Sequence, residues 1–363
     1  MTVIIFIVII SIISSVILTP LVIKFAKKFG YVDIPKDNRR VHEKPMPRIG
    51  GIAIVLSMFI GLFIYYIFTR NIPSISLNNK FTGYILGAIV IFAMGILDDM
   101  YNLRARYKFV FQLIAAIIVC SFGIVIDTAK IPFIHTDLID LGILSIPITM
   151  IWVIGITNAV NLIDGLDGLA AGISSISSLA LLIIFITTSA SLEAIIITAV
   201  LFGATVGFIP YNFNPAKTFM GDVGSNFLGF TLAIVSILGL AKGYTMIAIV
   251  APLLILGVPI FDTLFAMVRR FFAGKPLLTP DGAHIHHRLL KKGFSQKQAV
   301  IILYTITSVL CIFAVIIISA DIYKLLLLIL ITVFFIILGY ITTLKKKQLQ
   351  NNLKDSRKKW YIY

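Results

Sequence analysis

Residues 146–169 read IPITMIWVIGITNAVNLIDGLDGL. The run from 146 to 163 is apolar over the length that a helix of about 20 residues needs to cross a bilayer. It does not fade into an ordinary loop. It ends in Asn158, Asn161, Asp164 and Asp167, four polar groups with no basic residue beside them in the sequence. Ionisable and amide groups at a membrane boundary are costly unless a partner satisfies them.

The rest of the chain repeats the first half of that pattern. Its 363 residues are 59% hydrophobic and only 13% charged, which excludes a water-soluble domain of this length. The mean hydropathy of +1.03 has the same meaning. Apolar runs fall near 3–23, 49–68, 81–97, 109–126, 146–163, 170–189, 193–209, 226–241, 246–268, 299–319 and 324–344. The expected fold is therefore all-α, a polytopic integral membrane protein of about eleven transmembrane helices. MTVIIFIVII lacks the basic n-region and the cleavage pattern of a secretory signal, so it is read as the first span. Cys120 and Cys311 both lie in apolar stretches and read as packing residues.

The net charge of +15 is mostly topology and calls for no nucleic acid. Of the 31 Lys and Arg, all but Arg70, Lys80, Lys130, Lys242 and Lys324 fall in 24–48, 98–108, 210–225, 269–298 and 345–363, alternate connections on one side. The positive-inside bias then puts the N-terminus outside and the C-terminus in the cytoplasm. Residues 1–344 form one transmembrane domain, and 345–363 form a basic tail suited to an anionic lipid surface or to solvent. The external stretch DTAKIPFIHTDLIDLGILS (127–145) reads as a short hairpin.

Five polar constellations share the cytoplasmic side. Asn158, Asn161 and Asp164 stand three apart and form a stripe, about 4.5 Å per step along a helix; Gly165 and Gly168 then let backbone approach a ligand beside Asp167. A lone Asp there would read as a helix cap, but the cluster needs a cation or a polar ligand. Asp98 and Asp99 end the third span, and adjacent carboxylates suit base or metal chemistry; the bland alternative is an acidic pair balanced by Arg104, Arg106 and Lys108. Asp222 follows Phe219 by three residues and lies between Gly221 and Gly224, an acid beside a flat ring that suits a metal-bound nucleotide. His284, His286, His287 and Arg288 lie in a long loop without the Cys or acidic spacing of a zinc site, so anion binding is the better reading. VHEKPMPRIGG (41–51) offers His42, Lys44, Arg48, Gly50 and Gly51, as a solvated basic loop or as phosphate contacts. Together these groups describe phosphoryl transfer on a nucleotide substrate.

The chain also resembles the polyprenyl-phosphate N-acetylhexosamine-1-phosphate transferases, which move a sugar phosphate from a UDP-sugar onto a lipid phosphate and release UMP. KPMPRIGG, LDDMYNLRARYK, NAVNLIDGLDGLA, FMGDVGSN and HIHHRLL carry the likeness, in that order. The resemblance implies catalytic roles for Asp98, Asp99, Asp164, Asp167 and Asp222, with the first two acting on the acceptor lipid phosphate. It implies Mg²⁺, with Mn²⁺ as the alternative ion, on Asp222 and Asp98. Phe219 would stack near the uracil, and Asn158, Asn161 and Asp164 would shape the nucleotide pocket. Lys44, Lys108, His284, His286, His287 and Arg288 would meet phosphates or sugar.

Within that family HIHHR is similar to the branch that uses UDP-N-acetylglucosamine and undecaprenyl phosphate to begin teichoic-acid linkage units, common antigen or O-antigen of lipopolysaccharide. The peptidoglycan branch, with its muramoyl-pentapeptide donor, carries three consecutive histidines where this chain has Ile285. The expected location is the bacterial cell membrane with the active site facing the cytoplasm; a homodimer stays open. The rival class, an anionic-solute transporter, would need ionisable residues near mid-membrane. Only Asp262, after Pro259 in the ninth span, comes close.

Overall fold

The computed structural model describes residues 1–33, 45–70, 78–129, 139–240, 247–274 and 284–318. Lys44, the run at 324–344 and the basic tail lie outside the described residues. The chain is a polytopic helical membrane protein. Its helices are α1 (Thr2–Phe29), α2 (Gly51–Thr69), α3 (Asn79–Tyr101), α4 (Ala105–Ser121), α5 (Ser145–Ile163), α6 (Leu169–Thr187), α7 (Leu192–Asn212), α8 (Gly221–Leu240), α9 (Ile247–Ile255), α10 (Gly257–Phe272), α11 (Ile285–Lys291) and α12 (Gln296–Ile318).

Eight helical segments among the described residues are long and apolar enough to cross a membrane: α1, α2, α3, α5 with the short turn before it, α6, α7, α8 and α12. Of the other three expected spans, 324–344 is outside the described residues, α4 is a shorter 17-residue helix, and the run at 246–268 is broken into α9 and α10. Pro259 accounts for that break. Its ring lacks an N–H and crowds the carbonyl four residues earlier, that of Ile255, the last residue of α9.

α8 is the least apolar of the eight candidate spans and the most buried. It packs against α3, α5, α2 and α7, so its surface meets protein rather than lipid. Its polar side chains are paired inside the bundle: Tyr84 and Thr231 hydroxyls lie 3.2 Å apart, and Trp152 Nε1 donates to Ser236 Oγ at 3.0 Å. Around this centre α1 packs on α7 and α2, and α6 on α7. Close helix contact in a membrane depends on small residues, and Ser15 Oγ donates to the Ala204 carbonyl at 2.8 Å across the α1–α7 seam.

The expected hairpin is present as β3 (Thr128–Ala129) against β4 (Ile139–Asp140), antiparallel. A second two-residue ribbon, β1 (Val32–Asp33) on β2 (Met46–Pro47), leads the chain into α2. Both cysteines are free thiols in helices, Cys311 buried and Cys120 half-buried.

Candidate active site

The site forms where the C-terminal ends of α3 and α5 meet the N-terminal ends of α4 and α8. α3 stops at Asn102, whose left-handed backbone (φ 50) is a common helix exit. Its last turn therefore presents Asp98 and Asp99 to the start of α8. The two carboxylates both adjoin Asp222 but take different partners. Asp99 Oδ1 accepts from the Asp222 N–H at 2.9 Å, and Oδ2 accepts from the Val223 N–H at 3.1 Å. These are the donors that the first turn of a helix leaves without intrahelical partners, so Asp99 caps α8 from another helix. Asp98 Oδ1 accepts from the Leu103 N–H at 2.8 Å, and its carboxyl stands beside that of Asp222, with Oδ2 ion-paired with Lys108 Nζ.

Asp222 stands in the first turn of α8 and is the hub of the polar contacts. Its Oδ1 accepts from Asn161 Nδ2 at 2.6 Å. Its Oδ2 lies 3.6 Å from Lys108 Nζ and 3.8 Å from Arg48 Nη2. Asn161 also donates to Ser225 Oγ at 2.8 Å, one turn along α8. Arg48 bridges further, with Nε 3.5 Å from Asp99 Oδ1 and Nη1 donating to Asn102 Oδ1 at 2.9 Å.

Arg48 arrives there because backbone meets backbone. The Phe219 N–H donates to the Pro47 carbonyl at 2.8 Å, and the Gly50 and Gly51 N–H groups donate to the Phe219 and Met220 carbonyls at 3.0 and 2.8 Å. A Cβ on Gly51 would overlap the backbone of Gly224. These glycines serve packing rather than phosphate contact. Gly221 begins α8 at φ +71, and a Cβ there would overlap the Arg48 carbonyl and lie 2.5 Å from Asp99 Oδ2. The G-D-V-G spacing is thus the sequence trace of two crossing backbones.

Beside this hub opens a cavity of about 700 Å³. Asp164, Asp167, Asn161, Asp222, Phe219 and His287 are among its walls. Among the described residues the Asp164 carboxyl has neither a hydrogen bond nor an ion pair. Burial, then the charges of Asp222, Asp99 and Asp167, push it up to about 8. Asp167 is tied down, its Oδ2 accepting from Asn214 Nδ2 at 3.0 Å and from the Ala216 N–H at 3.2 Å.

His287 stands in one wall, with His286 and His284 in series behind it. His284 and His286 rings stack at 5.8 Å with 3° between planes, and His286 and His287 rings are 4.2 Å apart. His286 packs its Nε2 edge against Gly165, where a Cβ would overlap it. Burial, then the charge of His287, pulls His286 down to about 4, so it is neutral at pH 7.

The family described as Glycosyl transferase family 4 matches residues 81–240, the segment that carries Asp98, Asp99, Asn161, Asp164 and Asp222. The chain is 42% identical over 315 residues, 87% of its length and 85% of the relative's, to a protein of Bacillus subtilis (strain 168) named probable undecaprenyl-phosphate N-acetylglucosaminyl 1-phosphate transferase. The chain belongs to the polyprenyl-phosphate N-acetylhexosamine-1-phosphate transferase family. It is also 30% identical to a decaprenyl-phosphate N-acetylglucosaminephosphotransferase of Mycolicibacterium smegmatis, covering 77% of this chain and 73% of that one. A phospho-N-acetylmuramoyl-pentapeptide-transferase of a Wolbachia species is 31% identical, with 84% and 96% covered.

For this member of the family, the structure sorts the sequence-predicted residues into three groups. Asn161, Asp164, Asp167, Phe219, Asp222 and His287 line the cavity; Lys108 reaches it through Asp222. Others support it from outside. Asp99 is spent on the α8 amides, Asp98 Oδ2 on Lys108, and Asn158 on Gln112, with Asn158 Nδ2 donating to Gln112 Oε1 at 2.7 Å. Asp98 and Asp99 therefore adjoin Asp222 through different contacts, and Asn158 is absent from the cavity wall. Arg288 is exposed and is absent from the cavity wall, because one further step around α11 turns it away from His287. Asp262 does not line the cavity; it is buried and bonded to His284.

The sequence reading missed Asp33, Asn102, Asn214 and Gln296, which also line the cavity. Asp33, Asn214 and Gln296 stand in none of the motifs quoted above, whereas Asn102 stands inside LDDMYNLRARYK. Asn214 had one signal, the run N-F-N-P three residues before FMGD.

Proposed function

We propose that the protein transfers N-acetylglucosamine-1-phosphate from UDP-N-acetylglucosamine to undecaprenyl phosphate. The reaction releases UMP and leaves undecaprenyl-pyrophosphate-N-acetylglucosamine, at the cytoplasmic face of the bacterial cell membrane. The observation that carries this reading is Asp222. One carboxylate is held by Asn161, faced by Arg48 and Lys108, and set three residues from Phe219 at the wall of a cavity of about 700 Å³. A nucleoside diphosphate sugar needs a flat apolar contact for its base, cations for its phosphates and carboxylates for a divalent ion, and phosphoryl transfer is catalysed mainly by such positioning. The names of the relatives support N-acetylglucosamine-1-phosphate as the transferred group and a polyprenyl phosphate as acceptor. The asymmetry of Lys and Arg supports the cytoplasmic side.

The residues present fit Mg²⁺. Among the described residues no three His, Cys, Asp or Glu side chains converge into a ready cage, and Mg²⁺ characteristically takes one or two carboxylates together with substrate phosphates. Asp164, unpartnered among the described residues and surrounded by negative charge, has the electrostatic deficit that a divalent cation relieves. Asp164 and Asp222 would hold the ion, and Asp98, its Oδ2 engaged by Lys108, would not. When bound, Mg²⁺ neutralises charge building on the donor pyrophosphate.

The chain's own groups do the rest. Asn161 fixes the rotamer of Asp222. Lys108 and Arg48 present positive charge beside it for the reacting phosphates. Phe219, anchored through its backbone to Pro47 and Gly50, offers a fixed ring to the uracil. An acceptor phosphate oxygen forms the new bond to the sugar-side phosphorus, and the bond from that phosphorus to the UMP oxygen breaks. Detergent-purified protein given Mg²⁺, undecaprenyl phosphate and UDP-N-acetylglucosamine should release UMP. Release with UDP-muramoyl-pentapeptide instead would move it to the peptidoglycan reaction, and release with neither would overturn the reading.

A further inference from the structure

Asp262 lies outside every motif that carries the likeness to the family, and it is absent from the cavity wall. It is nevertheless 3% exposed, on a helix that turns Phe261, Leu264, Phe265, Val268, Phe271 and Phe272 outward. A buried carboxylate on so amphipathic a helix is costly unless its oxygens are satisfied. Both are. Oδ1 accepts from the Ile285 N–H at 2.8 Å, and Oδ2 lies 2.9 Å from His284 Nδ1.

A carboxylate can only accept, so His284 carries its hydrogen on Nδ1 and donates it to Asp262. One side chain of α10 thereby fixes the backbone entry to α11 and the ring of its capping residue. The parallel stack of His284 on His286 passes that orientation on. His286 is wedged between Gly165 of the Asp164–Asp167 loop and the His287 ring, 4.2 Å away. His287 is the member of the series that faces the cavity.

We propose that Asp262 is a positioning residue for donor binding: it holds His284 by its Nδ1–H and, through the imidazole stack, sets His287 at the cavity wall. This rests on the transferase reading, since His287 is taken to meet the UDP-sugar. Asp262 touches no substrate. Its effect is expected on donor binding, through His287, because Lys108 and Arg48 are held by other carboxylates, Asp98, Asp99 and Asp222.

The test uses the full-length protein in detergent, with Asp262→Asn, His284→Ala, His287→Ala and the Asp262→Asn/His287→Ala double variant. Asp262→Asn keeps an oxygen for the Ile285 N–H but turns an amide toward His284. It should lower kcat/KM for UDP-N-acetylglucosamine by on the order of ten- to a hundredfold, the range for one buried charge-assisted hydrogen bond, with KM for undecaprenyl phosphate within about twofold of wild type. His284→Ala should reproduce that donor-side loss. The double variant should be no more than about twofold worse than His287→Ala, because residues acting in series are not additive. Multiplicative losses, an equal rise in the acceptor KM, or wild-type kinetics in Asp262→Asn would each overturn the proposal. Proton-detected spectra of ¹⁵N-histidine protein, which has five histidines, read the first link without substrate. The Nδ1–H resonance assigned through His284→Ala should be present in the wild type and absent in Asp262→Asn. Its absence from the wild type sinks the inference even if UMP is released, whereas its presence in a protein that releases no UMP sinks the transferase reading alone.

Discussion

Asp99→Asn separates a chemical role for this carboxylate from an anchoring one. The Asp99 side chain is fully buried, and its two oxygens accept the Asp222 and Val223 N–H groups at 2.9 and 3.1 Å. Hydrogen bonds to a charged partner contribute about 1.5–3 kcal/mol each. Asparagine keeps one acceptor oxygen, now neutral, and faces the second N–H with an amide that can only donate. The replacement therefore weakens one bond, removes the other and leaves a buried donor unsatisfied, for a loss of about 2–4 kcal/mol. The same change frees the first turn of α8, which carries Asp222. A shift of about 1 Å in a catalytic group can cost about a hundredfold in rate. Thermal unfolding in detergent, equilibrium binding of UDP-N-acetylglucosamine and UMP release should all be impaired together. A variant as stable as wild type, with donor binding intact and turnover abolished, would refute the anchoring role and return Asp99 to the reacting atoms.

Gly221→Ala should fail on stability for a separate reason: its φ of +71 and the overlap of a Cβ with the Arg48 carbonyl leave no room, and left-handed backbone alone costs a residue with a Cβ about 1–2 kcal/mol; a melting temperature equal to wild type would contradict this. His286 is held at about 4 by burial and by His287, below the ordinary value near 6.5. The unfolded chain thus takes up a proton first on acidification, and stability is lost as pH falls from about 6.5 to about 4. Melting curves over that window should be flatter for His286→Gln than for wild type. His287→Ala should reduce kcat/KM for the donor by at least about tenfold, while Arg288→Ala, exposed and off the cavity wall, should stay within about threefold; the reverse order would place Arg288 on the donor. Single cysteines at Lys130 and Lys291, in a protein lacking Cys120 and Cys311, should react with an impermeant thiol reagent from opposite sides of intact cells, and labelling of position 291 from outside would remove the cytoplasmic site.

Much of the site was legible because membrane chemistry makes polar residues conspicuous. Asn161, Asp164 and Asp222 stand out against apolar spans, and the requirement that such groups be satisfied points to a shared ligand. The same contrast misleads at Asp98, Asp99 and Asn158. They are equally conspicuous, yet their partners are backbone amides, Lys108 and Gln112, supplied by other helices. Satisfaction by protein and satisfaction by ligand look alike in one dimension.

Hydrophobic run length and charge pattern, which act locally, determined a helical membrane protein and the places where its polar clusters sit. The run at 246–268 reads as one span, and its break into α9 and α10 appears only in the structure. Only the tertiary structure decided that Gly50 and Gly51 cross Phe219 to Gly224, that Asp99 caps a helix far away in sequence, and that Asp262 holds His284. Each of those contacts joins residues whose separation along the chain carries no record of their distance in space. A hydrogen bond of 2.9 Å depends on the packing of whole helices against one another, and that packing is set by the summed shape of many small side chains rather than by any motif.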